Sequence, residues 1–152
     1  PRQSNRAVIP TIISQIASGK NQISLGSISP TRDFNFVKDT CSAFIEIAKS
    51  ELTIGKIINS ASNFEISIQE TAMLIADLMN REIDIVCQEE RIRPKDSEVE
   101  RLYGDNKLIK NLTNWEPKFG GLDGFNKGLK ITIDWFTRIE NLKFYNPNKY
   151  SI

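Results

Sequence analysis

The segment from Ser67 to Cys87 constrains the fold more than any other part of the sequence. Ser67 and Glu70 have the spacing of a capping box, in which two side chains satisfy backbone amides at the start of a helix. Apolar residues then recur at helical spacing through about Met79, and residues 82–87 alternate between apolar and polar side chains as a strand does. A helix that leads into a strand predicts an α/β fold.

Helix and strand patterns also alternate over the rest of the chain. The further predicted helices are 8–18, 39–50, 105–115 and one that follows Gly121, and the further predicted strands are 22–26, 31–37 (or an extended turn) and 56–59. The buried faces of the second and the last of these helices are predicted to be Ala43, Phe44, Ile47 and Ala48, and Leu122, Phe125, Leu129 and Phe136.

The charge balance and the absence of histidine exclude several function classes. The 20 basic and 19 acidic residues leave a net charge of +1, too little for the long-range field that attracts nucleic acid or anionic membranes. Without histidine the chain cannot build a Ser-His-Asp triad or a histidine-ligated metal site. Cys41 and Cys87 lie in apolar patterns, so we expect both to be reduced core residues and no metal to be bound.

The sequence contains no recognisable signal for a membrane or for secretion. No apolar run approaches the roughly 20 residues that a membrane-spanning helix needs, and the first residues do not resemble a signal peptide. A cytoplasmic protein is therefore expected. Because the chain begins at Pro1 rather than at Met, we also expect it to be a piece of a longer chain.

Four segments, taken in order, resemble the extended short-chain dehydrogenase/reductase family of nucleotide-sugar epimerases and dehydratases. The first lies near the start of the chain and resembles the stretch that follows the family's Tyr-Gly-Pro. The second is similar to the signature Arg-Asp-Phe-x-x-Val-x-Asp, the third to Tyr-Asn-Ile-Gly, and the fourth to the ending Arg-Pro…Asp-x-x-Lys…Leu-Gly-Trp-x-Pro. In this chain the four segments are Pro1–Pro10, Thr31–Asp39, Ile58–Ala61 and Arg93–Pro117.

The resemblance implies that the chain is the C-terminal portion of a Rossmann-type α/β enzyme, in which mixed helices and short strands form the substrate-binding lobe. Residues 36–62 would contribute a helix and a strand to the cofactor domain. The glycine motif for NAD, the catalytic Tyr-x-x-x-Lys pair and the acid/base carboxylates would lie upstream of Pro1. We therefore expect no catalytic residue in this chain and no activity from the chain alone.

The resemblance also implies a set of substrate contacts. Arg32 and Arg93 would bind the pyrophosphate of a nucleotide sugar, because a planar guanidinium can bond two phosphate oxygens at once. The resemblance places the remaining contacts at the sugar or phosphate (Arg6 with the backbone of Ala7 and Val8), at the uracil (Ile23 and Leu25), at the phosphate-binding loops (Asn59) and at the ribose hydroxyls (Asp96 or Glu98).

Three of these assignments have structural alternatives. Arg32 could instead form a salt bridge with Asp33 or Asp39. The pair Ile23 and Leu25 could simply pack in the core, and Asn59 could be a turn former at the end of a strand. A two-residue insertion leaves both Asp96 and Glu98 open as the ribose contact.

Among subfamilies, the stretches Arg2–Ile13 and Ile92–Leu102 most resemble UDP-N-acetylglucosamine 4,6-dehydratases of legionaminic-type sugar pathways. Such enzymes use NAD to oxidise sugar C4, lose water across C5 and C6, and return the hydride to C6. The partners implied are a UDP-sugar and, for the full-length enzyme, a second copy. The alternatives are a nucleotide-sugar 4-epimerase and a non-catalytic nucleotide-sugar-binding remnant.

Overall fold

The computed structural model describes residues 1–92 and 97–145, which divide into two compact units. Of the described residues, the first unit comprises 1–30, 67–92, 97–100 and 129–145, and the second comprises 31–66 and 101–128. The elements in chain order are α1 (Val8–Ala17), β1 (Gln22–Leu25), β2 (Thr31–Arg32), α2 (Val37–Lys49), a 3-10 helix (Glu51–Thr53), β3 (Ile66–Ser67), α3 (Ile68–Leu78), β4 (Asp84–Cys87), a 3-10 helix (Glu89–Arg91), β5 (Arg101–Leu102), α4 (Lys107–Leu112), α5 (Gly121–Thr137) and α6 (Ile139–Leu142). Among the described residues, no helix is long and apolar enough to cross a membrane.

The first unit is built on a parallel pair of strands, β1 and β4, in which Ile23 lies opposite Ile85. Helices α1 and α3 pack together. The buried Gln15 on α1 binds the backbone of Ser24, with its amide nitrogen 3.1 Å from the Ser24 carbonyl and its oxygen 2.9 Å from the Ser24 amide. The α1 helix is therefore tied to β1 by hydrogen bonds that satisfy one residue of the strand.

The predicted capping box begins α3, as expected. Ser67 Oγ accepts a hydrogen bond from the Glu70 amide at 3.0 Å, and the Glu70 carboxylate accepts one from the Ser67 amide at the same distance. The hydrogen bonds from Ser67 hold the pKa of Glu70 below its usual value. The helical spacing of its apolar residues predicts an inner face of Ala72, Ile75, Ala76 and Met79; the first three are buried and Met79 is half-buried.

The second unit contains β2 and β5, which run parallel, while β3 lies on the other side of β2. Its helices α2 and α4 pack around a cluster of Ala43, Ile109 and Trp115. Aromatic rings from the signature region pack on α5 and on the segment that leads into it: Phe34 stacks on Phe125 of α5 at 5.6 Å, and Phe36 lies 4.3 Å from Phe119, just before the helix.

The predicted strand at 31–37 is much shorter in the structure, and the helix after it begins early. Only Thr31 and Arg32 form a strand, because the neighbouring strands β3 and β5 are themselves only two residues long. The side chain of Asp33, the next residue, bonds to backbone amides elsewhere in the unit. Helix α2 begins at Val37, two residues before its predicted start at Asp39, which could have capped the helix. The Asp39 carboxylate accepts hydrogen bonds from the amides of Lys118 and Phe119 rather than capping its own helix.

The strand predicted at residues 56–59 does not form among the described residues. That residues 36–62 contribute a helix and a strand to the cofactor domain stays a prediction. Ile57 is 94% exposed, and the Lys56 amide bonds to the Thr53 carbonyl in a turn. A strand needs a neighbour to bond with, and the described residues provide none beside this segment. The apolar run indicated an extended segment but could not show whether a neighbour was present.

The buried face predicted for α2 is half wrong. Ala43 and Ile47 pack inward, but Phe44 is 66% exposed and Ala48 is exposed. The helix carries two apolar faces, and periodicity cannot tell which of them the unit covers. The face left open by the described residues consists of Val37, Cys41, Phe44, Ile45 and Ala48, and we call it the α2 outer face.

Two other burial predictions also fail. Cys41 and Cys87 are both free thiols, as expected, but both are exposed rather than in the core. Cys41 lies on the α2 outer face, and Cys87 ends a strand of a two-stranded sheet that covers few of its side chains. On α5, Phe125, Leu129 and Phe136 are buried as predicted, whereas Leu122 in the first turn is exposed.

Candidate substrate-binding site

The start of α1 has the electrostatics of an anion site. Ala7 is the N-cap in an extended conformation, no side chain caps the helix, and its first turn holds no acidic residue. The first amides of any helix lack partners within it and carry the positive end of the helix dipole. Arg6, directly before the cap, is exposed. This end of the helix, with Val8 as its first residue, could therefore receive a negatively charged group.

Ile23 and Leu25, the predicted uracil wall, lie in the core of the first unit. Their exposed fractions are 0% and 3%. Both side chains belong to β1, where alternate residues turn to the same face. Core packing accounts for both of them, and the contact with a base stays a prediction.

Arg32 ends β2 and is half-buried, and its Nη1 donates a hydrogen bond to the Thr31 carbonyl at 2.8 Å. The two carboxylates offered as its alternative partners are engaged with other donors. Asp33 accepts from three backbone amides and a hydroxyl, and Asp39 accepts from two backbone amides. The two aspartates of the signature therefore hold the backbone of neighbouring segments in place.

The Asp33 carboxylate connects two separate loops by hydrogen bonds, a role that inspection of the sequence did not reveal. Its Oδ1 accepts from the amide and hydroxyl of Ser62 at 3.0 and 2.6 Å, and its Oδ2 accepts from the amides of Asn63 at 3.1 Å and Gly104 at 3.2 Å. The approach at Gly104 requires glycine, since an added Cβ would collide with the Ala61 side chain. The family signature contains this aspartate directly after the arginine, so the signature could have marked Asp33 as a candidate for a structural role.

Glu65, Arg101 and Thr31 form a second cluster that no sequence pattern indicated. Arg101 donates from Nε and Nη2 to the Glu65 carboxylate, with a shortest distance of 2.6 Å, and the Thr31 hydroxyl donates to Glu65 Oε2 at 2.8 Å. These hydrogen bonds, led by those from Arg101, lower the pKa of Glu65 to about 2. The carboxylate therefore stays ionised under ordinary conditions. We call this cluster the β2 brace.

The β2 brace predicts an acid dependence of stability. A carboxylate whose pKa falls from 4.5 to about 2 on folding stabilises the protein above pH 4.5, and this contribution is lost as the pH falls towards 2. Urea unfolding at several pH values should therefore show a steeper loss of stability over this window for the wild type than for Arg101→Met. Glu70 titrates in both proteins, so it cancels in the comparison; parallel curves would contradict the role of Arg101.

The remaining predicted residues are distributed as follows. Asn59 is exposed in the second unit, and Glu98 is half-buried in the first. Arg93 and Asp96 lie outside the described residues. The choice between Asp96 and Glu98 as the ribose contact therefore stays open. The predicted contacts near the α1 start and on β1 belong to the first unit, and Arg32 belongs to the second.

Two motifs that could suggest catalysis or a cofactor do not form such sites. Tyr103 and Lys107 have Tyr-x-x-x-Lys spacing, but Tyr103 precedes α4 and its hydroxyl donates to Asn63 at 2.8 Å. The two side chains are therefore not one turn apart on a helix. The glycines at 120, 121 and 124 enter α5, and Gly124 packs against the Phe119 backbone. Among the described residues there is thus no glycine loop between a strand and a helix of the kind that holds a dinucleotide.

Comparison with known proteins shows which family this chain belongs to. A family model described as GDP-mannose 4,6 dehydratase matches residues 1–128, which include all four resembling segments. The chain belongs to this family. Its relatives include dehydratases and epimerases of the extended short-chain dehydrogenase/reductase type, so the predicted family and the Rossmann-type α/β class are confirmed.

Relatives with different reactions match nearly the whole chain. GDP-6-deoxy-D-mannose reductase from Pseudomonas aeruginosa is 30% identical over 91% of this chain and 45% of its own length. UDP-N-acetyl-alpha-D-glucosaminuronate decarboxylase from Bacillus cytotoxicus is 34% identical over 88% and 41%. The structure of dTDP-glucose 4,6-dehydratase from Bacillus anthracis in complex with NAD superposes with a TM-score of 0.75 at 26% identity, over 98% of this chain and 44% of that one. The chain thus spans less than half the length of these relatives.

Proposed function

We propose that this chain forms the nucleotide-sugar-binding part of an NAD-dependent UDP-N-acetylglucosamine 4,6-dehydratase. The observation that carries the proposal is the setting of Arg32. The residue is half-buried and its Nη1 bonds to a backbone carbonyl, while the neighbouring Asp33 and Asp39 bond to backbone amides. A fixed guanidinium in the family's signature suits a pyrophosphate, which offers several oxygens to its planar fork.

The other contacts follow the same chemistry. Arg93 would be the second guanidinium on the pyrophosphate. The uncapped start of α1 with Arg6 would take a further phosphate or sugar oxygen, because the first backbone amides of the helix and the positive charge of Arg6 lie at the same end of the helix. Glu98 or Asp96 would accept the ribose hydroxyls.

A UDP-N-acetyl sugar is the proposed substrate class. The Bacillus cytotoxicus relative, with the highest identity among the relatives described above, is named for a UDP-N-acetylated sugar. This supports the finer resemblance of the sequence to UDP-N-acetylglucosamine enzymes. Nucleotide-sugar 4-epimerisation is the second candidate, because dehydratases and epimerases both occur among the relatives and both need the same substrate contacts.

NAD would be held mainly by sequence beyond this chain, since the described residues contain no dinucleotide loop. We therefore assign no step of hydride transfer to any residue here. The chain's own contribution would be to bind the nucleotide and to hold the sugar still.

The α2 outer face would pack against the cofactor domain. Its apolar side chains lie at helical spacing over residues 37–48 and are exposed in the described structure. A surface of this kind usually marks a contact between proteins or domains. The complete enzyme is proposed to be a cytoplasmic homodimer.

The test is calorimetric titration of UDP-N-acetylglucosamine into the protein encoded by the complete gene. Arg32→Ala and Arg93→Ala should each lose about 2 kcal/mol of binding free energy, the scale of a charge-assisted hydrogen bond left unmade. Arg138→Ala is the matched control, because Arg138 directly follows α5 and forms an exposed ion pair with Asp134 in the last turn of that helix.

Uridine, which lacks phosphates, should bind all four proteins equally weakly if the two arginines act on the pyrophosphate. Unchanged binding of the nucleotide sugar by both arginine variants would overturn the proposed site. Product analysis of the wild type then distinguishes a 4-keto-6-deoxy sugar from a 4-epimer.

A further inference from the structure

Strand β2 is too short to fix its own position. It consists of Thr31 and Arg32, which pair with Arg101 and Leu102 of β5. The strand on its other side, β3, is also only two residues long, so β2 has a short ladder on each side. Ladders of this length give little stability, so further contacts contribute to holding the residue with the proposed phosphate contact.

Thr31 connects Arg32 to the β2 brace. Its hydroxyl donates to the Glu65 carboxylate at 2.8 Å, and its carbonyl accepts from Arg32 Nη1, also at 2.8 Å. Glu65 therefore holds the Thr31 side chain, and the Thr31 backbone carbonyl holds the Arg32 guanidinium. A Thr31 that rotated or slid would carry its carbonyl, and with it the Arg32 side chain, out of place.

We propose that Glu65 is a positioning residue, which orients Arg32 towards the phosphates of the nucleotide sugar through its hydrogen bond with Thr31. This inference rests on the proposed function and adds to it the device that keeps the guanidinium in place. Arg32 would touch the ligand, whereas Glu65 and Thr31 would act only through it.

Arg101 keeps Glu65 in position for this task. The guanidinium binds both carboxylate oxygens, so the carboxylate cannot rotate away from Thr31 without losing hydrogen bonds. Arg101 also lies over the ring of Tyr103 at 5.2 Å, and Tyr103 donates to Asn63. The carboxylate is therefore anchored to β5 and to the loop after it.

Thr31→Val is the decisive substitution. Valine keeps the branched shape that suits a strand but removes the hydroxyl, and the ion pair between Glu65 and Arg101 remains. The dissociation constant for UDP-N-acetylglucosamine should rise about fivefold, the effect of one hydrogen bond, with a small change in the unfolding midpoint. Thr31→Ser, which retains a hydroxyl, should restore most of the affinity.

A double-mutant cycle separates positioning from general destabilisation. In an Arg32→Ala background, Thr31→Val and Glu65→Ala should cause no further loss of affinity, because the group they position is gone. Thr137→Val is the matched control: it removes a hydroxyl that bonds to the Ile133 carbonyl on α5, and should leave binding unchanged. All variants are made in the protein encoded by the complete gene.

The outcomes are distinguishable. If Arg32→Ala weakens binding but Thr31→Val and Glu65→Ala do not, the positioning role is wrong and the proposed function stands. If Arg32→Ala itself leaves binding unchanged, the phosphate contact is wrong and the positioning role falls with it. Additive losses in the cycle would likewise overturn the inference, since they would show that the brace acts independently of Arg32.

Discussion

Replacing Trp115 by alanine should lower the free energy of unfolding by about 3–5 kcal/mol, the range for truncating a buried tryptophan. The side chain is 2% exposed and packs in the cluster with Ala43 and Ile109. Its Nε1 also donates to the Asp39 carbonyl at 3.1 Å and to Ser42 Oγ at 3.0 Å. Alanine would leave a cavity and remove both hydrogen bonds.

Urea unfolding followed by circular dichroism measures this loss without depending on tryptophan fluorescence. Trp115→Phe separates the two contributions, because it keeps most of the apolar area and removes only the donor. We expect its loss to be about 1–2 kcal/mol, since it removes two hydrogen bonds while the Asp39 carbonyl keeps the one from Ser42 Oγ at 2.9 Å. A loss below about 1 kcal/mol for the alanine variant would show that the cluster can close around the gap.

Asp39→Ala should cost about 2–4 kcal/mol, because it leaves two amides without their acceptor. The residue is 1% exposed, and its two carboxylate oxygens accept from Lys118 at 3.1 Å and Phe119 at 2.8 Å. These bonds hold the turn that leads into α5. Loss of the acceptor should loosen that turn as well as lower the overall stability.

Hydrogen exchange at the amides of Lys118 and Phe119 measures the effect of Asp39→Ala on this turn directly. Both should exchange much faster in Asp39→Ala than in the wild type. Asp123→Ala is the control, because Asp123 is an exposed acid in the first turn of α5 and its removal should cost about 0.3–1 kcal/mol. Equal effects of the two substitutions would contradict a special role for the buried carboxylate.

The sequence predicted those elements whose signals are local. The capping box at Ser67 and Glu70 lies within four residues, so it could be recognised without the fold. The short length of β2 could not be predicted, because it depends on the pairing of β2 with β5, in which Thr31 lies opposite Arg101, 70 residues further along the chain. The same holds for Asp39, whose carboxylate bonds to an amide 80 residues further along and therefore does not cap α2.

The candidate site divides in the same way. Arg32 was found because a family signature marks it. The brace beside it was missed, since Glu65 and Arg101 are 36 residues apart and neither has a distinctive neighbourhood in the sequence. Only the parallel pairing of β2 with β5, which brings Thr31 opposite Arg101, places the three residues together. A charge pattern alone could not indicate that pairing.

Because the second unit is built from two separate stretches of the chain, it cannot complete its core until late in synthesis. The second unit consists of residues 31–66 and 101–128, with a stretch of the first unit between them. During synthesis, Asp39 and Ala43 emerge long before Trp115, which completes their cluster from 76 residues beyond Asp39. At about 5–20 residues per second, the early half waits several seconds for its partner. A ribosome that pauses before Trp115 would therefore present an unfinished core to chaperones and proteases.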